Sequence, residues 1–159
     1  MNKIAFYFIG IIFAVVAPCY SKDWNGIVPC KSSRADVEKI LGKDALLSPD
    51  QFGRYRYKDS RVYVDYVKEG KDSPLNDVVE SIHVYPDAST SIALKKFIKS
   101  IPNFNQNFSR LEFSDRTTHI YGQAVYRNMK AGFEIWVQKD EHDREVISRF
   151  GYFDPEEKC

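Results

Sequence analysis

A chain of 159 residues, 43% hydrophobic and 28% charged, has the makeup of one globular domain and not of a disordered segment. With 23 Lys and Arg against 22 Asp and Glu, the formal net charge is +1, so no partnership with nucleic acid or an anionic membrane surface is expected. Aromatic content of 14%, with ten Tyr and eleven Phe, favours strand, because rings fit a pleated, half-buried surface.

Residues 1–21 read as a secretory signal peptide. Lys3 is a short positive region, and Ile4 to Ala17 is an apolar run below the ~20 residues a membrane span needs. Cys19 and Ser21 are small residues at −3 and −1 of a cut before Lys22. The alternative is a lipoprotein anchored at Cys19, with Val16-Ala17-Pro18-Cys19 as a degraded lipobox in which Pro18 is a poor residue. Either way the expected location is secreted or periplasmic, with a single domain over 22–159 and no transmembrane segment in the mature chain. Cys30 and Cys159 then remain and can pair in an oxidising compartment, closing a loop worth about 4–5 kcal/mol in the chain-entropy model. Free or intermolecular thiols are the alternative. No Cys/His spacing suggests zinc, no phosphate loop or EF-hand pattern is present, and neither metal nor cofactor is expected.

Trp24 to Gly42 predicts an entry segment and a helix. Ser33 is a good N-cap, Asp36 completes a weak capping box, Val37, Ile40 and Leu41 share one face, and Gly42 ends it. Tyr55 to Val67 alternates as a β-hairpin, with Asp59-Ser60 as its turn and Val62, Val64 and Tyr66 on the apolar side. A polar Gly/Pro loop leads to a third strand ending at Pro86, with Ile82 and Val84 inward and Ser81, His83 and Tyr85 outward. A second helix, capped by Ser89, Thr90 or Ser91, carries Leu94, Phe97, Ile98 and Ile101 on one stripe and stops at Pro102. Asn107-Phe108-Ser109 matches a glycosylation sequon. A short strand from Arg110, an ambiguous stretch around His119, a second hairpin with Phe133, Ile135 and Val137 inward, and a last strand before Asp154-Pro155 complete the chain.

The two halves look alike, either as a repeat or because any two β-hairpins of aliphatic and aromatic residues do. Tyr55-Arg56 and Val62, Val64, Tyr66 align with Tyr126-Arg127 and Phe133, Ile135, Val137 at an offset of 71, and Val79, Ile82, Val84, Tyr85 with Ile147, Phe150, Tyr152, Phe153 at 68. The expected architecture is α+β, an antiparallel sheet with helices packed on one face, built from pseudo-repeats at about 24–87 and 88–155.

The opening Trp24-Asn25-Gly26-Ile27-Val28-Pro29 and the following Ser32, Arg34, Asp36, Val37, Glu38, Leu41 and Gly42 resemble the W-x-G-I-x-P-x-x-S-T-R-x-D-V-E-x-L-L-G opening of a group of uncharacterised secreted bacterial proteins. Ser33 departs from the usual Thr, and Ile40 from the usual Leu. More remotely, a helix ending in Leu-Gly before three antiparallel strands is similar to the SmpA/OmlA outer-membrane-assembly lipoproteins and to the β-lactamase inhibitor protein fold, which doubles that unit. The resemblance implies fold and a protein-binding, non-catalytic role; it lends no site residues.

The outward side of the sheet supplies those. Arg56, Tyr63, Asp65, His83 and Tyr85 from the first half, with Arg127, Glu134, Trp136, Arg149 and Phe153 from the second, mix rings, arginines and a few carboxylates as recognition surfaces do; the alternative is that the aromatic cross-strand pairs only stabilise an open antiparallel sheet. The expected partner is a protein of the envelope or medium. Two other readings use the same side: a small secreted hydrolase working through His83 and Asp65, although Ser81 lies in no nucleophile elbow, and a glycan-binding module stacking sugars on Tyr63 and Trp136. His142, in Glu141-His142-Asp143, reads as part of a solvated loop.

Overall fold

The computed structural model describes residues 23–43, 52–68, 73–87, 92–113, 123–156 and 159. The leader, Cys19 and His119 lie outside the described residues. The elements are α1 (Arg34–Leu41), β1 (Phe52–Tyr57), β2 (Ser60–Tyr66), β3 (Val79–Pro86), β4 (Ile92–Ala93), α2 (Leu94–Ile98), α3 (Phe104–Asn107), β5 (Ser109–Phe113), β6 (Gln123–Asn128), β7 (Phe133–Lys139) and β8 (Glu145–Phe153). Eight strands form one antiparallel sheet in the order β1-β2-β3-β8-β7-β6-β5, with β4 added alongside β8. The class is therefore α+β with an antiparallel sheet. Among the described residues no helix is long and apolar enough to cross a membrane.

The first helix forms for the reasons its sequence gives. The Ser33 amide donates to Asp36 Oδ2 at 2.8 Å while the Asp36 amide donates to Ser33 Oγ at 3.3 Å, a reciprocal capping box. Gly42 ends it at φ 83°, its N–H reaching the Glu38 carbonyl. Backbone bonds from Cys30 N–H to the Val79 carbonyl and from Val79 N–H to the Ser32 carbonyl tie the helix entry to β3. Arg34 pairs with Asp77 at 3.1 Å and lies 4.0 Å from the Tyr66 ring centre. The stripe is narrower than expected: Val37 is fully buried and Leu41 packs on the core, but Ile40 is 39% exposed. A helix of eight residues touches the layer beneath along little more than one line.

The second helix is shorter than predicted. Ile92 and Ala93 are drawn into the sheet as β4, opposite Ile147 and Val146, and the helix begins at Leu94 with no side-chain cap. The expected caps at 89–91 lie outside the described residues. Leu94 is buried, while Phe97, Ile98 and Ile101 pack at the margin of the same cluster. The single turn α3 adds Phe104, stacked on Phe108 with ring centres 4.5 Å apart.

Two buried clusters result. One joins Ile27 and Val37 to Tyr55, Val62, Val64, Tyr66, Ile82 and Val84; the other joins Leu94, Phe104 and Phe108 to Ala124, Ile135, Val137 and Ile147. Phe150 on β8 packs against both. The strands meet at the centre of the sheet through β3 and β8, where His83 faces Gly151 and Ser81 faces Phe153. Cys30 and Cys159 form a disulfide with Cα atoms 5.0 Å apart, fastening the end of the chain to the entry of α1.

Register repeats in the β2–β3 and β7–β8 pairs, which flank the central β3–β8 pair. Val62 faces Val84 and Val64 faces Ile82, as Phe133 faces Tyr152 and Ile135 faces Phe150, and the ladder slips at Asp65/Tyr66 in one pair and at Trp136/Val137 in the other. Those positions are 71 apart. The hairpins differ: Tyr57 faces Ser60 across Lys58-Asp59, whereas Asn128 faces Phe133 across residues 129–132. The first turn thus sits one residue earlier than predicted, with Lys58 at φ 52°.

Candidate recognition face

Because side chains alternate along a strand, every apolar inward residue has an outward neighbour. The ladder pairings align those neighbours into rows. One runs Arg54–Tyr63–His83–Gly151–Glu134–Arg127 across six strands; beside it, Arg56, Arg61 and Tyr85 form a second. All ten residues expected to form the surface lie on this side, and most are in contact with one another.

The centre of the face is a stack. The Arg149 guanidinium lies 3.9 Å from the Trp136 ring centre and 5.8 Å from that of Tyr85, and donates to the Tyr85 hydroxyl at 3.3 Å. Tyr85 meets Tyr63 edge to face, centres 5.1 Å apart. Beneath lies Glu134. Arg127 forks onto its Oε2 at 3.1 and 2.8 Å, the Trp136 indole N–H donates to Oε1, and Arg149 stands 3.8 Å away. Arg127 also lies over the Phe153 ring at 5.6 Å.

Glu134 departs from expectation. It is only 5% exposed, so it is an anchor that fixes the two arginines and the tryptophan and not a contact offered to a ligand. Gly151 makes this possible: a Cβ there would fall 2.5 Å from Glu134 Cγ, so only glycine lets the carboxylate lie flat across the sheet. Arg56 departs too. It sits at the margin, pairs with Asp87 at 3.1 Å, and is not part of the central stack.

A second polar cluster occupies the first half of the face. Ser81 Oγ donates to Asp65 Oδ2 at 2.6 Å, and His83 Nε2 lies 3.1 Å from Ser81 Oγ and 3.2 Å from Asp65 Oδ2. Ser81, which the sequence offered no geometric reason to include, is therefore a full member. Burial pushes the Asp65 carboxyl up, but the hydrogen bonds from His83 and Ser81, with the nearby His83 and Arg149 charges, outweigh it and hold the group below its ordinary value of 3.8. His83 Nδ1 is buried and has no hydrogen-bond partner among the described residues. At one corner, a cavity of about 520 Å³ opens between Asp65, Glu80, Ser81, Phe153, Asp154 and the Cys30–Cys159 bridge. Among the described residues no group of His, Cys, Asp and Glu side chains is placed to hold a metal ion.

Residues the sequence did not single out complete the face. Arg54 and Arg61 flank Tyr63 and Tyr85, and Val125 is fully buried on the row that carries Trp136. Strict alternation through Tyr55 and Val62 carried the signal for the two arginines. A glycine in mid-strand was the signal for Gly151.

No family model matches this chain, and no curated protein matches it. Among solved structures it is similar to the crystal structure of a DUF4309 family protein, YjgB, from Bacillus subtilis, at 12% identity and a TM-score of 0.48, over 83% of this chain and 88% of that one, a likeness too faint to carry functional content.

Proposed function

We propose that this chain is a secreted or envelope-associated, non-catalytic protein that recognises a protein partner through the ring-rich side of its sheet. In this reading residues 1–21 are a signal peptide, and two tandem units, each a helix and three strands, place their helices over the opposite side. The disulfide is compatible with an oxidising compartment. The repeated register and the ladder slips 71 residues apart favour the tandem reading.

The observation that carries the proposal is the Trp136–Arg149–Tyr85 stack on a buried Glu134. Arginine and aromatic anchors held rigid before binding are what a protein interface uses to limit its ordering cost. The hydrolase reading has less support. In a working relay the histidine contacts serine and carboxylate through opposite ring nitrogens, whereas here Nε2 faces both and the serine hydroxyl donates to the carboxylate. The glycan reading needs a bare ring face, and Arg149 already covers Trp136.

The test is affinity capture by the immobilised mature protein from native medium and envelope fractions. Tyr63→Ala with Tyr85→Ala is expected to abolish a capture that Lys39→Ala retains, at a stability cost below about 2 kcal/mol. Loss of the fold in the double variant would assign the rings to stability, and a hydrolytic activity of the wild type that His83→Ala loses would favour the enzyme.

A further inference from the structure

We infer that the partner presents an acidic, extended segment that adds as a strand to the free edge of β1; the inference rests on the reading of the ring-rich side as a protein-binding face. Three observations meet at that edge. First, β1 ends the sheet: among the described residues its outer backbone edge has no strand beside it, so it offers a row of main-chain groups to an incoming chain. Second, that margin is basic. Arg54 and Arg56 on β1 and Arg61 on β2 are all exposed and all project on the same side as Tyr63 and Tyr85. Arg56 faces Arg61 directly across the ladder, and like charges placed so oppose pairing. Among the described residues only Arg56 of the three has a carboxylate, Asp87, and Arg54 and Arg61 are held only by weak contact with rings, at 5.8 Å from Tyr63 and 6.0 Å from Tyr85. Third, the opposite end of the sheet is neutralised from within. On β5, Arg110 is bridged by Glu112 at 3.2 Å and Glu145 at 2.9 Å.

An acidic strand satisfies all of this at once. Its backbone extends the ladder. Its alternate side chains, two residues apart, fall opposite Arg54 and Arg56 on one side of the sheet, with Arg61 one strand further in behind Arg56, adjoining the Tyr63–Tyr85 pair. A flexible polyanion would use the charges but not the backbone edge.

The experiment measures binding of fluorescein-labelled decapeptides to the full mature protein by anisotropy. An alternating Glu-Thr peptide is expected to bind, more weakly as salt rises. The same Glu-Thr peptide N-methylated at every residue has the same charge but no ladder donors, and is expected to bind about tenfold or more weaker. Arg54→Glu with Arg61→Glu is expected to weaken the Glu-Thr peptide about tenfold or more, while Lys95→Glu with Lys96→Glu, an equal charge change on α2, shifts it within about twofold. Hydrogen exchange at 52–57 is expected to slow on binding. Equal binding of both peptides, tighter and equally arginine-dependent binding of heparin, or no binding of the Glu-Thr peptide would each overturn the inference. If a captured partner needs Tyr63 and Tyr85 but ignores Arg54→Glu with Arg61→Glu, the face reading stands and this one falls. If it needs the arginines and not the tyrosines, the edge stands and the ring-rich face does not.

Discussion

Compare the outward residues of β2 and β3 with those of β7 and β8. The backbones correspond pair by pair through the same ladder slip, yet no polar function is kept. Where the first half has Tyr63, the second has Glu134; Asp65 becomes Trp136, Ser81 becomes Arg149 and His83 becomes Gly151. One half builds a small acid–hydroxyl–imidazole ring, and the other a buried carboxylate under two arginines and an indole. Inward positions stay apolar in both, because they must fill the core. On the proposed tandem reading, the inward positions have kept their character while the outward ones have not.

The largest test asks whether the halves stand alone. The Cys30–Cys159 bridge ties the entry of the first to the end of the second. Cys159→Ser is expected to cost about 2–5 kcal/mol, read by denaturant unfolding. A second transition appearing in that variant would show two units melting separately; a cost near zero would mean the bridge constrains only a tail.

Next comes a matched pair. Glu134→Ala removes the anion beneath Arg127 and Arg149, of which the latter is four-fifths covered, and is expected to cost about 2–3 kcal/mol. Tyr63→Ala, at the corresponding position of a half-exposed ring, is expected to cost about 1 kcal/mol or less. Similar costs would mean the carboxylate is not the anchor its burial indicates.

The cores differ as well. Among the described residues only the first contains a buried hydroxyl pair, Tyr55 and Tyr66 at 2.9 Å; the position matching Tyr66 is Val137. Tyr55→Phe or Tyr66→Phe strands the other hydroxyl and is expected to cost about 1–2 kcal/mol, with the double variant closer to wild type than the sum of the two. Burial raises both phenols above their ordinary value of 10, so their contribution is full below pH 10 and is lost as pH rises beyond it.

What could be read ahead from the sequence follows from how local each feature is. The hairpins were legible because alternation needs only neighbours, and α1 because Ser33, Asp36 and Gly42 state its ends. β4 and α3 were not: two residues beside β8 and one turn after Asn103, itself at φ 54°, are too short for any period to show. The burial of Glu134 was hidden for another reason. A glutamate between Phe133 and Ile135 reads as solvent-facing, and only its pairing with Gly151, seventeen residues on, provides the space that covers it. The membership of Ser81 likewise depends on its facing Asp65 across β2 and β3.

The smallest expected effect separates the two faces by charge. Asp65 sits below its ordinary value, so the folded chain resists protonation there more than the unfolded chain does. Its contribution is therefore complete above pH 3.8 and is lost as pH falls through the lower, folded value. Asp65→Asn keeps an acceptor for Ser81 but has no charge to lose. At neutral pH the variant is expected to be the less stable, and the two stability curves are expected to converge as pH falls below 3.8. Trp136, at the matching place, cannot titrate, so this part of the acid response belongs to the first half. A gap between wild type and Asp65→Asn that stays constant through that window would mean that the hydrogen bonds, and not the charge, are what Asp65 contributes.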